Sequence, residues 1–343
     1  MANMQKIIVF GATGHVGAYT AMALKAHGYD VVAVGRRKSD NGFFAENGMQ
    51  YISLDIRNKE NFVILPQTDI YAIFHFAGAM PAHMCGYNPY EYLNSNITGT
   101  LNILEYARIL NVKKFIFSQS VSDVLYLGGT TNPIPADSEM HHPLIGDHAV
   151  YSISKNAAVS LVRHYEAEYG ITSYILRLPT IYAYHPNPYY YVDGKKKMLG
   201  YRFLMQKAEQ GEPISVWGNP NNVKEFVYID DFIQLCECCL KSSNGGTFNA
   251  GNGFPLSFDE QVKIMVEVFS EYGRKSPILY EPEKPSSPQF ILDISNAKEQ
   301  LGYVPAFDCR RAFESFKKEK ELQRFKVMWG GVYSSRKYYV AAA

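Results

Sequence analysis

Residues 6 to 17 read KIIVFGATGHVG, a largely apolar run that leads directly into glycines at every third position. The run Lys6–Phe10 has the length and composition of a buried parallel strand, and a helical pattern follows the glycines to about His27. A strand, a glycine-rich turn and a helix in this order predict a backbone that receives a pyrophosphate at the positive end of the helix. The sequence therefore predicts a doubly wound, Rossmann-type α/β fold that binds a dinucleotide. The loop residues expected to contact it are Gly11, Thr13, Gly14, His15, Val16 and Gly17.

The overall composition excludes several classes of protein. The 343 residues carry 34 Lys and Arg against 33 Asp and Glu, a balance that argues against a general binder of nucleic acid or membrane surfaces. We expect a cytoplasmic protein, because the sequence has neither a leader-like segment nor an apolar run of transmembrane length. The 5 cysteines lack the spacing of a structural zinc site, so we expect free thiols and no metal.

The end of the second predicted strand bears on the choice of coenzyme. In folds of this kind an acidic residue about 20 positions after the glycine loop hydrogen-bonds the adenosine ribose of NAD. Here the strand Asp30–Val34 is followed by Gly35, Arg36 and Arg37. Guanidinium groups suit the 2′-phosphate of NADP, which the sequence therefore slightly favours over NAD. The alternative is a solvated basic turn, which leaves NAD open.

Two further predicted strands end in candidate coenzyme contacts. One ends near Leu54 and the other near His75. Since a ligand of an open parallel sheet lies outside the carboxyl ends of the strands, the residues at both ends are expected to line the coenzyme. These residues are Asp55, Ile56, Phe76, Ala77 and Gly78.

Tyr151 and Lys155 are the candidate catalytic pair. They stand four residues apart in a predicted helix over about 149 to 169, so that their side chains share one face and can transfer protons beside a nicotinamide. The strand before them ends in hydroxyl residues, of which Ser120 is the favoured partner and Ser122 the alternative. Three other Tyr-x-x-x-Lys pairs occur in the sequence, but glycine or proline interrupts two of them and the third lies in a glycine-rich tail.

Taken together, the motifs resemble the extended short-chain dehydrogenase/reductase family. The glycine loop, the serine-bearing strand, Tyr151-x-x-x-Lys155 and the sequence LRLP at 176–179 occur in the order typical of its NAD(P)-dependent epimerase/dehydratase branch, which acts on nucleotide sugars. The sequence KEFVYIDD at 224–231 and the segment 293–305 extend the resemblance to about residues 5–315.

The resemblance implies a mechanism. Tyr151 would take a proton from a sugar hydroxyl while hydride passes to the nicotinamide, Lys155 would lower the tyrosine pKa and hold the nicotinamide ribose, and Ser120 would hydrogen-bond the reacting oxygen. Net epimerisation is the expected activity. An NADPH-dependent 4-keto-sugar reductase and a non-catalytic NAD(P)-sensing or RNA-binding protein are the alternatives. A dehydratase is less expected, because the Asp-Glu pair of such enzymes is missing near Asp123.

The resemblance also implies substrate contacts and an assembly. Lys224 and Lys284 stand where the branch often has arginine against the nucleotide diphosphate, and Thr180 stands where it often has asparagine. Together with Ser122 they are the expected substrate residues. Two helices, around 89–110 and 149–169, are expected to pair in a homodimer.

The sequence further predicts two interleaved domains, because residues 247–251 read as a late strand that returns to the dinucleotide domain. The dinucleotide domain would comprise 1–178 and about 226–252, and the smaller substrate domain about 179–225 and 253–315. From residue 311 on the chain goes beyond the resemblance, and its many lysines and arginines suggest a solvated helix and a loose basic tail, with the tail taken as 316–343.

Overall fold

A computed structural model describes residues 5–81, 86–146, 148–192, 194–271, 273–286 and 288–330. Its centre is a parallel sheet of seven strands, which confirms the predicted doubly wound α/β fold. In chain order the strands are β1 (Lys6–Phe10), β2 (Asp30–Gly35), β3 (Gln50–Ser53), β4 (Ile70–His75), β5 (Lys114–Ser120), β6 (Thr172–Leu178), β7 (Thr180–Tyr182), β8 (Tyr189–Val192), β9 (Lys195–Met198), β10 (Ile214–Trp217), β11 (Phe226–Tyr228), β12 (Gly246–Asn249) and β13 (Ile278–Glu281). The order across the central sheet is β12-β6-β5-β4-β1-β2-β3.

Helices cover both faces of this sheet. They are α1 (His15–Ala26), α2 (Phe43–Glu46), α3 (Pro89–Tyr92), α4 (Gly99–Ile109), α5 (Ala149–Tyr169), α6 (Gly200–Gln210), α7 (Ile229–Lys241), α8 (Phe258–Phe269), α9 (Ser295–Leu301), α10 (Cys309–Leu322) and α11 (Lys326–Trp329). Alternate residues of β1 point to opposite faces, as the two-residue period of a strand requires. Ile7 and Val9 pack with α1 and α7, whereas Ile8 and Phe10 pack with α4 and α5.

The second part of the molecule is built from smaller sheets. The strands β10 and β13 pair in parallel, β11 pairs with β7, and β8 and β9 form an antiparallel hairpin. The chain then returns to the central sheet, where Gly246–Asn249 pairs with β6. The carboxyl ends of the central strands and the small sheets are thus connected by repeated crossings of the chain.

The C-terminal region departs from the expected loose tail. Helix α10 buries Phe313 and Phe316, and α11 buries Met328 and Trp329. The prediction of a solvated tail is therefore wrong for residues 316–329, because an apolar face underlies the many lysines and arginines. The rest of that predicted tail, from residue 331 on, lies outside the described residues.

The described cysteines are free thiols, as expected: Cys236, Cys238, Cys239 and Cys309. Cys85 lies outside the described residues. Within the described ranges there is no cluster of three potential metal ligands, and no helix there has the length and apolar character needed to cross a bilayer.

Candidate active site

The glycine-rich loop has a backbone that other residues would not tolerate. Gly11 has φ +86°, and a Cβ atom there would stand 2.7 Å from the amide nitrogen of Ala77. A Cβ atom on Gly17 would lie 2.2 Å from the Gly11 carbonyl oxygen. The loop leads into α1, whose first residue is His15. The loop therefore has the close approach of strand, turn and helix that a dinucleotide pyrophosphate requires.

The other predicted coenzyme residues lie along the same edge. Asp55 and Ile56 follow β3, and Phe76, Ala77 and Gly78 follow β4, at the carboxyl ends of parallel strands. The ring of Phe76 packs towards the core, with its centroid 5.7 Å from that of Phe232. Phe76 as a whole remains half-buried.

The sequence analysis missed Asn96 at this edge. It lies in a π-helical segment, Leu93–Thr98, just before α4. Its side chain accepts a hydrogen bond from the Ala79 amide (2.8 Å) and donates to the Ala79 carbonyl (3.1 Å) and to Ser154 Oγ (2.9 Å). Asn96 thus joins the segment after β4 to α5. The signal in the sequence is the polar run Asn94 to Asn96 within the predicted helix around 89–110.

The structure brings Ser120, Tyr151 and Lys155 together. Ser120 ends β5, and the other two lie one turn apart near the beginning of α5. Ser120 lies close enough to Tyr151 for its hydroxyl to act on the phenol and lower the pKa of Tyr151. Ser122 lies two residues further on, and its amide donates to Ser120 Oγ at 3.2 Å. Of the two candidate serines, Ser120 is the one that the structure pairs with Tyr151.

Burial governs the electrostatics of this group. The Lys155 ammonium donates to the Ser118 carbonyl and lies 4.1 Å from the centroid of the Phe117 ring. Burial lowers the pKa of Lys155 to about 7, with the charge of Asp123 acting in the opposite direction. Burial also raises the pKa of Tyr151, which the hydrogen bond with Ser120 partly offsets. Tyr151 is therefore a phenol at neutral pH unless further positive charge is brought beside it.

A buried ion pair lies next to the catalytic group. Arg177 donates to both carboxylate oxygens of Asp123 at 3.0–3.1 Å, and also to the Ala136 carbonyl and to Asn249 Oδ1, each at 3.0 Å. Both partners are almost completely inaccessible to solvent. Because Asp123 is held inside the protein by Arg177, its carboxylate is not placed to protonate a leaving hydroxyl.

Chains of ion pairs occupy the end of the site where the sequence predicted a ribose phosphate. Arg36 Nη1 lies 2.6 Å from Glu91 Oε1, and Arg57 contacts both Glu91 (2.8 Å) and Asp55 (2.5 Å). Burial acts to raise the pKa of Asp55, but its bonds with Arg57 outweigh burial and lower it. Arg37 Nη1 donates to the Met328 carbonyl at 2.7 Å. Both predicted phosphate ligands thus already have partners within the protein.

The predicted substrate residues lie around the smaller sheets. Lys224 is half-buried with its ammonium 5.4 Å from the centroid of the Phe258 ring, and burial lowers the pKa of this lysine. Lys284 is exposed and lies 5.7 Å from the centroid of the Trp217 ring. Thr180 is exposed at the start of β7. The two lysines therefore face different aromatic rings.

A cavity of ≈ 380 Å³ opens beside the catalytic group. Its wall includes Tyr92, whose ring centroid lies 6.2 Å from that of Tyr151. Leu144, Ile145 and Tyr191 contribute further apolar and aromatic surface. A cavity of this size next to a proton-transfer group is large enough to receive part of a small-molecule substrate.

The chain is similar to known proteins along most of its length. A sequence profile for the NAD dependent epimerase/dehydratase family matches residues 7–251. A putative UDP-glucose 4-epimerase of Methanocaldococcus jannaschii is 26% identical over 309 residues, which cover 90% of this chain and 96% of the relative. UDP-glucuronate 4-epimerase 2 of Arabidopsis thaliana is 25% identical, over 92% of this chain and 75% of its own.

Solved structures share the fold. The UDP-glucose 4-epimerase of Thermotoga maritima, determined with UDP-glucose, superposes with a TM-score of 0.75 at 23% identity, and covers 92% of this chain and 99% of its own. A UDP-glucuronic acid 4-epimerase of Bacillus cereus, in complex with UDP-glucuronic acid and NAD, gives 0.69 at 22% identity over 92% and 99% of the two chains.

Proposed function

Because this chain belongs to the NAD dependent epimerase/dehydratase family, we propose that it is an epimerase that oxidises one carbon of a nucleotide sugar and then reduces it again. The observation that carries the proposal is the grouping of Ser120, at the end of β5, with Tyr151 and Lys155, one helical turn apart at the start of α5, at the sheet edge that also bears the glycine loop. Relatives along most of the chain are named as 4-epimerases of UDP-sugars, which makes a UDP-sugar the first substrate to test.

The proposed roles follow from the chemistry of each side chain. When bound, the nicotinamide coenzyme supplies an acceptor and donor of hydride. Tyr151 accepts the proton of the sugar hydroxyl during oxidation and returns it during reduction, while Ser120 hydrogen-bonds the oxygen that alternates between hydroxyl and carbonyl. Lys155 holds the nicotinamide ribose and, when protonated, stabilises the tyrosinate. Lys224, Lys284, Thr180 and Ser122 remain the proposed contacts to the nucleotide sugar.

The glycine loop fits a dinucleotide, because Cβ atoms at Gly11 and Gly17 would occupy the space that close packing of the loop requires. The sequence slightly favours NADP on the strength of Arg36 and Arg37. We nevertheless take NAD as the proposed coenzyme. Arg36 already binds Glu91, and Arg37 already binds the Met328 carbonyl. A solved structure of the same fold contains NAD.

A 4-keto-sugar reductase is the second candidate, and the same two arginines are the observation that favours it. An epimerase must keep its reduced coenzyme between the two half-reactions, whereas a reductase must release it. Native mass spectrometry of the freshly purified protein separates them, since retained coenzyme is expected only of the epimerase. A non-catalytic binding protein is disfavoured by the presence of Ser120, Tyr151 and Lys155 together.

We also propose a homodimer in a cytoplasmic setting. Helices α4 and α5 and the segment leading into α4 expose large apolar side chains, among them Leu101, Ile153 and Leu93 respectively. Such side chains are typical of a helix pair that is covered by a second subunit. The free thiols among the described cysteines support a reducing compartment.

A substrate panel tests the proposed activity. The protein is incubated with UDP-glucose, UDP-galactose, UDP-glucuronic acid and UDP-N-acetylglucosamine, and the products are resolved by proton NMR. Turnover of at least one of these sugars to its epimer is expected. Tyr151→Phe should abolish that turnover and keep coenzyme binding, whereas Tyr169→Phe, a matched exposed tyrosine at the end of α5, should change neither. Unchanged turnover in Tyr151→Phe would refute the mechanism.

A further inference from the structure

Four charged side chains form one continuous chain at the edge of the sheet. Asp55 bonds to Arg57, Arg57 bonds to Glu91, and Glu91 bonds to Arg36, at 2.5, 2.8 and 2.6 Å in turn. We call these residues the ion chain. Its two carboxylates and two guanidinium groups sum to zero charge. It extends from Asp55, two residues after β3, to Arg36, the residue after β2, and these positions flank the adenosine in folds of this kind.

Glu91 enters this edge from an unexpected element. It lies in α3, and its amide nitrogen donates to the side chain of Asn88, the residue that caps this helix. The end of β2, where an acidic residue would ordinarily select NAD, carries Arg36 instead. The structure therefore supplies the missing negative charge from α3.

We propose that Glu91 is the residue that selects NAD over NADP. A 2′-phosphate beside Arg36 would either displace the Glu91 carboxylate from that guanidinium or lie next to it as a second anion. The 2′-hydroxyl of NAD is uncharged, so it is not repelled by the Glu91 carboxylate and does not compete with it for Arg36. The inference rests on the proposed function, since it assumes that a nicotinamide dinucleotide occupies this edge.

Because the ion chain is only partly exposed, removal of the Glu91 charge should change the preference between NAD and NADP. Arg36 is 59% exposed and Glu91 23% exposed, so that solvent moderates but does not cancel the charge of the carboxylate. Removing that charge alone would leave Arg36 without its carboxylate partner, whereas Arg57 would keep its bonds to Asp55. A guanidinium group freed in this way is well suited to bind a phosphate dianion.

The test is Glu91→Gln in the full chain, with dissociation constants for NAD and NADP measured by titration calorimetry on protein from which any retained coenzyme has been removed. We expect NADP to bind about tenfold more tightly than to the unmodified protein, with little change for NAD, because a nearby negative charge is removed without loss of shape. Glu267→Gln is the matched control. Glu267 pairs with Arg310 on the exposed part of the molecule, and its loss should leave both constants unchanged.

Adding Arg36→Gln to the Glu91→Gln variant should reverse the gain for NADP. The inference would be overturned if Glu91→Gln left the ratio of the NAD and NADP dissociation constants unchanged, or if the increase in NADP affinity persisted without Arg36. Either result would leave the proposed function intact. Loss of both coenzymes in Glu91→Gln alone would overturn it too, because Glu91 would then be needed for either nucleotide. A wild-type protein that binds neither coenzyme would instead refute the proposed function, and the inference with it.

Discussion

The indole nitrogen of Trp329 donates a hydrogen bond to the backbone carbonyl of Thr13 at 3.0 Å, which joins the last described helix to the glycine-rich loop near the start of the chain. Trp329 is 3% exposed and its ring packs against that of His185, with 4.3 Å between the centroids. Phe325 packs nearby against Tyr19 of α1, at 4.6 Å between centroids. The C-terminal segment thus fixes the loop on which the coenzyme is proposed to bind.

Trp329→Phe removes the indole donor while keeping an aromatic ring at this position. Since one hydrogen bond contributes about 1 kcal/mol, we expect NAD to bind roughly fivefold more weakly. The dissociation constant is measured by titration calorimetry alongside the melting temperature. The other tryptophan, Trp217, is 51% exposed, so that Trp217→Phe serves as the control and should leave NAD binding unchanged. Equal NAD affinity in both variants would refute the link between the C-terminal segment and the loop.

Asp123→Asn removes one charge from the buried pair with Arg177. Because an uncompensated guanidinium would remain inside the protein, we expect the free energy of unfolding to fall by about 3–5 kcal/mol. Urea titration provides the measurement. Glu139→Gln, at an exposed carboxylate, should cost almost nothing. A decrease of less than about 1 kcal/mol in the free energy of unfolding of Asp123→Asn would contradict a buried ion pair between Asp123 and Arg177.

Glu225 predicts a dependence of stability on pH. Burial raises its pKa from 4.5 to about 7, although amide donors from Leu292 and Asn252 oppose the shift. Between these values the folded protein holds a proton that the unfolded chain has lost, so that the free energy of unfolding decreases as the pH rises through this interval. Protonated Glu225 contributes up to about 3 kcal/mol to the free energy of unfolding. This contribution is fully present below the unfolded pKa of Glu225 and is lost above about pH 7.

The comparison with Glu225→Gln isolates this contribution. The variant cannot ionise, and urea titrations near pH 5 and near pH 8 should show its stability rising relative to the wild type as the pH increases. A constant difference between the two proteins at both pH values would rule out titration of Glu225.

Leu101→Glu tests the proposed dimer. Leu101 lies on α4 with its side chain partly exposed, and a carboxylate there would be costly to cover with a second subunit. Sedimentation should give a dimer for the wild type and a shift to monomer for the variant, with unchanged melting of the monomer fold. A wild type that sediments only as monomer at micromolar concentration would exclude the dimer.

Local spacing made part of the site predictable. Each of two motifs spans only a few residues, so that local backbone geometry places its members: the glycines at 11, 14 and 17, and the pair Tyr151 and Lys155. The choice between Ser120 and Ser122 was harder, because the sequence does not show where the strand ends; in the structure β5 ends at Ser120, and Ser122 lies in the 3-10 turn that follows. It needed the position of Tyr151, which only the fold provides.

The remaining features depend on contacts between distant parts of the chain. Glu91 reaches Arg36 across 55 positions, and Trp329 reaches Thr13 across 316. Neither pair has a periodicity or motif that marks it, and the lysine-rich composition of the C-terminal region obscured its buried face. The prediction of NADP from Arg36 and Arg37 was limited for the same reason, since the partners of both arginines come from other elements.

The central claim is that the protein oxidises and re-reduces one carbon of a nucleotide sugar with a coenzyme that it keeps. The most direct test places deuterium on that carbon of the UDP-sugar identified in the substrate panel and adds no coenzyme beyond what the protein carries. We expect the epimer to form and to retain its deuterium, because the same hydride equivalent returns to the sugar. Release of deuterium to solvent, or a reduced sugar formed only with stoichiometric NADPH, would contradict it.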